Sequence, residues 1–345
     1  MFKNMRLGVK LAVAVLVLGV VPFVVIGIAS LTKSTGALSR QVFDQLEGLR
    51  EIKKAQIVRF FENKKNDMAT LVHFVEQLRE EDFRRFSSIE ASKRRRIEDF
   101  LAQFVKEHAY YDLLLIHPRG EVVYSVAREP DLGSNMIEGE YAGSGLGRLV
   151  RKVMETGRFG MADFEPYAPS GGEPAAFIAQ PVTFDGNSEL IVALQLSIEA
   201  INNIMQERVG MGRTGETYLV GEDKLMRSDS FLDPVHRSLK ASFAHPETGK
   251  VDTEAGREAL AGRSGEKIIT DYNGNPVLSA YAPIHLWDVT WALIAEMDVA
   301  EAFEAINKLT WVVGIVAVLS VSAIIGVGLL IVLLLLNRTS ASRRG

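Results

Sequence analysis

Two long apolar runs without a charged residue lie near the ends of this chain, and they constrain its fold more than any other feature. The first run covers the 22 residues 11–32, and the second covers the 29 residues 309–337. A helix needs about 20 apolar residues to cross the hydrocarbon core of a bilayer, so both runs are long enough to span a membrane. The apolar region of a cleaved secretory signal is shorter, at about 7–15 residues. We therefore predict two transmembrane helices over these residues.

Charge is distributed unevenly between the ends of the chain and its middle. Three basic residues precede the first run and three follow the second, whereas all 43 acidic residues lie between the runs. Basic residues concentrate in the short cytoplasmic flanks of membrane helices. We therefore expect residues 1–10 and 338–345 to be cytoplasmic and residues 33–308 to form a large outer segment. The chain has no cysteine, so this segment contains no disulfide.

The outer segment begins with helical periodicity and continues with strands. Apolar residues recur at helical spacing over roughly 34–80, and a second helix is predicted over roughly 88–108. The apolar runs that follow are short and separated by turn residues, as at 112–117 and 121–126, which is typical of β-hairpins. A last helix is predicted over 298–308, leading directly into the second apolar run. Strand hairpins with helices to one side predict an α+β fold.

A weak internal repeat indicates two units of similar construction. Residues 180–204 are similar to residues 282–306, and Pro181 and Pro283 occupy equivalent positions in the two stretches. In each stretch the proline is followed by an aliphatic residue, a loop, an aliphatic strand and an amphipathic helix. We therefore expect two α+β modules in series.

Four stretches of the outer segment are distinctive. They are IKKAQIVRFFENKKNDMATL (52–71), EVVYSVAREPDLGSNM (121–136), DFEPYAPSGGEPAAFIAQPV (163–182) and MGRTGETYLVGEDKLMRSDS (211–230). These stretches resemble the double-Cache sensor domains of bacterial transmembrane receptors, especially the methyl-accepting chemotaxis proteins. The resemblance covers essentially all of residues 32–308 together with the two apolar runs.

The resemblance implies an architecture and a function. It implies a long N-terminal stalk helix with packing helices over 33–109, followed by two tandem PAS-like modules between the transmembrane helices. The membrane-distal module would cover 110–200 and the membrane-proximal module 201–308. The implied protein is a homodimer in the bacterial inner membrane that binds a small ligand in its distal module. It would signal through the second transmembrane helix, most directly in chemotaxis.

One departure from the family pattern concerns the ligand. Amino-acid-binding members of the family use an Arg-x-Trp-Tyr constellation in the distal module, whereas the corresponding region here reads SVAREPDLG over 125–133. The three tryptophans of the chain, Trp287, Trp291 and Trp311, all lie later. The usual clamp for an amino-acid carboxylate is therefore absent, which argues against an amino acid as the ligand.

A second departure concerns the output. The family continues after the second span into HAMP and signalling domains, whereas this sequence stops at Gly345. The chain is then a fragment or truncated product, or its partner carries the output. The alternatives to a chemotaxis receptor are the sensor input of a histidine kinase or nucleotide cyclase, and a signalling-silent homologue that assembles with full-length receptors.

A cluster of polar and aromatic residues in the predicted distal module is the candidate ligand site. Small-ligand pockets combine a few convergent polar groups with aromatic walls. An arginine is suited to a carboxylate, and an aspartate to an amine or hydroxyl. The same residues are also compatible with surface ion pairs and core aromatics. The candidate residues are Tyr124, Arg128, Asp131, Asp163, Tyr167 and Phe177.

A second polar set lies in the predicted proximal module, where we expect Arg227 to pair with Asp229 or Glu222 as a structural bridge. The set consists of Tyr218, Arg227, Ser228, Asp229 and Tyr281. The GxGxxG match at 210–215 lies between a predicted helix and a following strand, which is the reverse of the dinucleotide fingerprint. No nucleophile–base cluster and no paired histidine spacing is present in the sequence. We therefore expect no enzyme activity, no metal, no cofactor and no nucleic-acid partner.

Overall fold

The computed structural model describes residues 7–77, 91–184 and 187–341. Its longer helices are α1 (Leu7–Gln77), α2 (Ala91–Glu107), α3 (Gly145–Thr156), α4 (Ile198–Met205), α8 (Glu254–Leu260) and α10 (Glu304–Ala341). Its short helices are α5 (Pro234–Arg237), α6 (Leu239–Ala244), α7 (Pro246–Gly249) and α9 (Val299–Ala302). The strands are β1 (Tyr110–Ile116), β2 (Val122–Ser125), β3 (Gly160–Pro166), β4 (Pro174–Phe184), β5 (Asn187–Leu196), β6 (Glu216–Val220), β7 (Gly265–Thr270), β8 (Pro276–Leu286) and β9 (Val289–Asp298).

The chain divides into two compact units. One unit, Gln45–Asp298, contains every strand that the structure describes, and the other consists of the residues on either side of it. The strands form two antiparallel sheets, and a long helix precedes them in the chain. The predicted α+β fold with a long N-terminal helix and two modules is therefore confirmed.

The terminal unit contains the first part of α1 and helix α10. Among the residues that the structure describes, one segment, Glu304–Leu330, is long and apolar enough to cross a membrane. It overlaps the predicted second span. The predicted first span, 11–32, lies within α1 and stays a prediction. Parts of the predicted cytoplasmic ends and of the helices expected near 80 and 88 fall outside the described residues.

The first sheet, in the order β2-β1-β5-β4-β3, forms the N-terminal module together with α3. Alternate residues of a strand face opposite sides of a sheet, so this sheet contributes to two cores. Leu113 and Val192 face the helices α1 and α2. Leu114 and Ile191 lie on the opposite side, here called the outer face, under α3 and the loop before it. Both faces of this sheet are therefore covered.

The second sheet, in the order β6-β9-β8-β7, forms the C-terminal module together with α5, α6, α7 and α8. Leu219 and Leu293 belong to the same buried core as α1. Tyr218 and Ile294, on the other face, pack with Ala255 of α8. Since both sheets contribute to the core around α1, this helix connects the two modules.

Two lysines interrupt the apolar stripe of α1, and both are buried. Lys53 Nζ donates a hydrogen bond to the carbonyl of Ile204 in the last turn of α4, and Lys64 Nζ donates to the carbonyl of His108, just after α2. Carbonyls at the C-terminal end of a helix lack partners within the helix, and a nearby ammonium stabilises them. Burial lowers the pKa of both lysines. The two charges thus hold the ends of α2 and α4 against α1.

The predicted repeat corresponds to equivalent structure in the two modules. Pro181 of β4 lies opposite Ile191 of β5, and Pro283 of β8 lies opposite Ala292 of β9. A helix follows each strand pair, α4 in the first module and α9 after the second. The expected start of the last helix at Asp298 is wrong, because Asp298 pairs with β8 as the final residue of β9.

Candidate functional site

The six predicted ligand residues do not converge on one place. Three of them form a contact group on the outer face of the N-terminal module, two lie toward α2, and one pairs with the C-terminal module. The first group is Asp131, Tyr167 and Phe177, the second is Tyr124 and Arg128, and the third is Asp163 alone.

The first group is a buried contact between a carboxylate and two aromatic rings. The Tyr167 hydroxyl donates to Asp131 Oδ2 at 2.7 Å, and the Tyr167 and Phe177 rings meet edge to face with centroids 4.9 Å apart. Asp131 is 1% exposed, and its Oδ1 has no hydrogen-bond partner within the described residues. Burial raises the pKa of this carboxyl. A buried acceptor without a donor is unusual in a folded protein.

The second group lies away from the outer face. Arg128 Nη2 is 3.8 Å from Glu98 Oε2 of α2, and the arginine side chain is 66% exposed. Its backbone φ of 55° lies in the left-handed region, which is uncommon for a residue other than glycine. Tyr124 is buried in the core around α1, where burial raises its pKa to about 12. Arg128 is therefore not placed to bind a carboxylate beside Asp131.

Asp163 joins the two modules. It accepts hydrogen bonds from Arg227 Nε at 2.9 Å, from Arg227 Nη2 at 2.8 Å and from Trp291 Nε1 at 3.0 Å. Arg227 is 2% exposed, and its Nη1 also pairs with Asp223 at 2.9 Å. Hydrogen bonds from two nitrogens of one guanidinium to the two oxygens of a carboxylate are among the strongest in proteins. The Asp163 carboxylate is consequently occupied by the protein itself.

The predicted bridge of Arg227 to Asp229 or Glu222 is thus corrected to Asp163 and Asp223. Asp229 instead accepts the backbone N–H of Leu239 at 2.7 Å, at the start of α6. The guanidinium lies directly over the backbone at Gly221, where an added Cβ would be 2.2 Å from Arg227 Cζ. A glycine is required at this position because the arginine occupies the space of a side chain.

The structure adds a buried carboxylate that the sequence analysis did not select. Asp112 Oδ1 accepts the backbone N–H groups of Leu113 and Ala127 at 2.7 and 2.8 Å, and Oδ2 accepts the Ser125 hydroxyl at 2.7 Å. Burial raises its pKa to about 6, and the charge of Asp131 contributes in the same direction. The signal in the sequence was a charged residue within the otherwise apolar strand at 112–116.

A chain of hydrogen bonds continues from this region to the surface. Gln195 lies beside Asp112 in the sheet, and its Nε2 donates to Ser170 Oγ at 3.3 Å. Ser170 Oγ in turn donates to Glu129 Oε2 at 2.7 Å, and the Tyr111 hydroxyl donates to Glu129 Oε1 at 2.7 Å. Glu129 is the common acceptor of these two hydroxyls.

Three of these residues, Tyr111, Ser170 and Gln195, line a cleft of about 400 Å³ between the modules. Its lining includes Ser170 and Gln195 of the N-terminal module, Glu199 and Asn202 of α4, and Asp229 and Lys240 of the C-terminal module. A volume of this size suits a small organic molecule.

One ion pair crosses the mouth of the cleft. Lys240 Nζ lies 2.6 Å from Glu173 Oε2, and both side chains are about half exposed. Both residues line the cleft. The described residues contain no group of three or more His, Cys, Asp or Glu that could hold a metal ion.

Two tandem antiparallel sheets on one long helix, with a cleft between them, define the class of the extracytoplasmic sensor domains. A family model described as Cache domain matches residues 34–306. The chain therefore belongs to this family, which confirms the predicted double-Cache resemblance. A search of curated protein sequences found no significant match.

Solved structures of chemoreceptor ligand-binding domains have the same fold. The domain of Pseudomonas fluorescens CtaA in complex with L-isoleucine is 16% identical, with 79% of this chain and 98% of that chain covered and a TM-score of 0.52. The domain of Pseudomonas aeruginosa PAO1 PctB in complex with L-Arg is 16% identical, with coverages of 76% and 98% and a TM-score of 0.51. The periplasmic sensory domain of Campylobacter jejuni Tlp1 is 12% identical, with coverages of 77% and 98% and a TM-score of 0.54.

Proposed function

We propose that this chain is a transmembrane receptor whose double-Cache region binds a small molecule outside the cytoplasm and signals through α10. The observation that carries the proposal is the cleft of about 400 Å³, because its walls belong to both modules and to α4. A ligand that contacts both walls binds one arrangement of them more tightly than another. Such differential affinity is what allows a ligand to shift a conformational equilibrium.

The chain order supplies a route for the signal. Strand β9 of the C-terminal module is followed directly by α9 and then by α10, which contains the candidate membrane segment. A displacement of β9 therefore reaches the membrane segment through continuous backbone.

The setting we propose is a homodimer in a bacterial inner membrane, with two spans and with both termini in the cytoplasm. Membership of the Cache family and similarity to chemoreceptor domains support chemotaxis as the output. The alternative outputs are phosphorylation by a histidine kinase and cyclic-nucleotide synthesis. Amino acids belong among the ligands to be tested, because the domains of CtaA and PctB were solved with amino acids bound.

Ligand binding is tested by thermal unfolding of the full chain in lipid nanodiscs with amino acids, organic acids, amines, purines and metal ions. A ligand present at 100 times its dissociation constant stabilises the protein by about 2.7 kcal/mol. For a domain of this size that corresponds to a shift of the midpoint by a few degrees. A hit should be weakened by Asn202→Ala in the cleft and unaffected by Glu155→Gln on α3. No stabilisation by any class would count against the proposal.

Transmission is tested separately, with a spin label at position 308 in the full chain. The distance between the two labels of a dimer should change when a saturating ligand is added. Identical distance distributions with and without a bound ligand would show that binding is not transmitted to α10.

A further inference from the structure

The glycine-rich loop between α4 and β6, residues 206–215, is bound to both ends of the unit that contains the strands. Gln45 is the first residue of this unit and Asp298 is the last. Gln45 Nε2 donates to the carbonyl of Gly210 at 2.6 Å, and the backbone N–H of Asp298 donates to Thr214 Oγ1 at 3.2 Å. One short loop therefore contacts the chain both where it enters the unit and where it leaves it.

An arginine near the start of the 206–215 loop holds the loop in one conformation. Arg208 donates to the carbonyl of Gly212 at 3.2 Å, to that of Arg213 at 3.0 Å and to that of Gly215 at 2.9 and 2.7 Å. Its Cζ also lies 3.4 Å from the centroid of the Phe231 ring, which is a cation–π contact. Because a guanidinium carries several donors in a fixed fork, it can join carbonyls that a loop otherwise leaves to water.

The glycines of the loop allow its compact path. Gly210 and Gly212 have φ angles of 80° and 67°, in the left-handed region that favours glycine. Met211 between them is fully buried, and a Cβ added at Gly215 would overlap the carbonyl of Met211. The GxGxxG spacing at 210–215 is therefore explained by the packing of this loop.

The start of the loop is tied to the cleft through α4. Asn202 and Asp229 both line the cleft, and Asn202 Oδ1 accepts the backbone N–H of Asp229 at 2.8 Å. Gln206 Nε2 donates to the carbonyl of Asp229 at 2.6 Å. Thr217 Oγ1 of β6 donates to the carbonyl of Met205, the last residue of α4, at 3.0 Å. A displacement of the cleft wall therefore moves the end of α4 and the loop that follows it.

We propose that the 206–215 loop transmits movement of the cleft to the end of β9, and from there to α9 and α10. This inference rests on the proposed receptor function and names the element that carries its signal. The hydrogen bond between Thr214 and Asp298 is the last link, because α9 begins at the residue after Asp298. The bonds of Arg208 make the loop stiff, whereas a loop without internal bonds would absorb a displacement in its own dihedral angles.

The test closes the cleft covalently and needs no ligand. The chain has no cysteine, so Glu173→Cys combined with Lys240→Cys places its only two thiols where the parent side chains meet at 2.6 Å across the mouth of the cleft. A methanediyl bis-methanethiosulfonate links the two thiols tightly, and the longer hexanediyl reagent leaves the two sides freer. Hydrogen exchange of the Asp298 amide is then followed in the full chain in lipid nanodiscs, by mass spectrometry of the peptides that contain it.

The exchange rate of the Asp298 amide should differ roughly five- to tenfold between the short and the long link, which is the scale of one hydrogen bond. The difference should vanish in Thr214→Val, which removes the acceptor, and in Arg208→Gln, which removes the guanidinium that stiffens the loop. Thr248→Val and Arg257→Gln are the matched controls. They make the same chemical changes elsewhere in the C-terminal module, where the parent side chains donate to backbone carbonyls, and they should keep the full difference.

The outcomes separate this inference from the receptor proposal. A difference that persists at full size in both Thr214→Val and Arg208→Gln, with the amides of β4 and β8 still protected, would overturn the loop as the route while leaving transmission to α10 intact. The same exchange rate with both links in the parent chain would overturn the loop and the whole route from the cleft to β9. Neither result bears on ligand binding, which fails only if the broad thermal screen is blank.

Discussion

The N-terminal and C-terminal modules both bury carboxylates on a sheet face, but they place the negative charge differently. In the N-terminal module, Asp112 and Asp131 accept separate hydroxyl and backbone donors, and Asp112 lies opposite Gln195, a residue of the cleft lining. In the C-terminal module, Glu216 and Glu296 lie at directly opposite positions on β6 and β9. In the first arrangement each carboxyl is paired with hydroxyl or backbone donors, whereas in the second the two carboxyls form an inward pair on neighbouring strands.

The inward pair of the C-terminal module is stabilised by tyrosines. The Tyr218 hydroxyl donates to Glu296 Oε1 at 3.0 Å, and the Tyr272 hydroxyl donates to Glu216 Oε1. Burial raises the pKa of both glutamates, and the charge of Glu216 raises that of Glu296 further. Two carboxylates on directly opposite residues of neighbouring strands repel each other, so ionising the second one costs additional free energy. Buried acids alone therefore do not indicate a ligand site.

The two modules are joined by the Asp163–Arg227 contact, and removing this contact should have the largest effect on stability. Arg227→Ala should lower the free energy of unfolding by about 3–5 kcal/mol, because it leaves the charge of Asp163 without its main partner in a partly buried place. Urea unfolding monitored by tryptophan fluorescence is the measurement, since Trp291 donates to the same carboxylate.

The matched control is an exposed ion pair that also crosses between the modules. Lys152 Nζ lies 2.7 Å from Asp288 Oδ2, with both side chains more than 40% exposed. Lys152→Ala should cost less than about 1 kcal/mol. Equal losses from the two substitutions would mean that Arg227 is not the principal link.

In the N-terminal module, the buried Asp112 should make stability depend on pH. The folded-state pKa of Asp112 is about 6, above the ordinary value near 3.9, so the folded protein holds this proton more tightly than the unfolded chain. The stabilisation is complete below about pH 4 and is lost as the pH rises through 6. It amounts to roughly 3 kcal/mol at most. Asp112→Asn should remove this component of the unfolding free energy between pH 4 and 7.

The control for this titration is Asp99→Asn, on the exposed surface of α2. It should leave the difference in unfolding free energy between pH 4 and pH 7 as it is in the wild type. If the unfolding free energy of Asp112→Asn still falls between pH 4 and pH 7 as it does in the wild type, another group is responsible for the pH dependence.

The smallest expected effect concerns the acid pair of the C-terminal module. Both folded-state pKa values are raised, so stability falls as the pH increases through them. Glu296→Gln removes the repulsion and supplies an amide that can donate to Glu216. We expect this variant to gain roughly 1–2 kcal/mol at pH 8 relative to wild type. Its advantage should shrink as the pH is lowered toward 5, because the raised pKa values make the wild-type pair take up protons as the pH falls. A variant that is destabilised equally at both pH values would contradict this account.

Patterns in the sequence identified the fold because they depend on local spacing. The apolar stripe of α1, the turn residues between strands and the repeat around Pro181 and Pro283 are short-range signals. Helical and strand periodicities differ, so these signals predict element type before any tertiary contact is known. The family resemblance rested on stretches that the Cache-domain match over 34–306 includes.

The candidate site was predicted less well, because its residues meet only through strand register. The pairing between β3 and β4 is irregular between Ala162 and Glu165, and the pairing of β1 with β5 shifts between Tyr110 and Asp112. A bulge interrupts the alternation that tells which face a side chain occupies. The alternation of residues along β3 therefore could not predict on which side of the sheet Asp163 lies.

The sequence by itself determined the α+β architecture and the two-module plan, since periodicity and turn spacing are properties of contiguous residues. Only the tertiary structure decided that Asp163 binds Arg227, that Arg128 turns to Glu98, and that a cleft opens beside Gln195. The physical reason is distance along the chain. Asp163 and Arg227 are 64 residues apart, and no local preference encodes which of several acids a buried arginine will meet. Packing of the two sheets on α1 settles that choice.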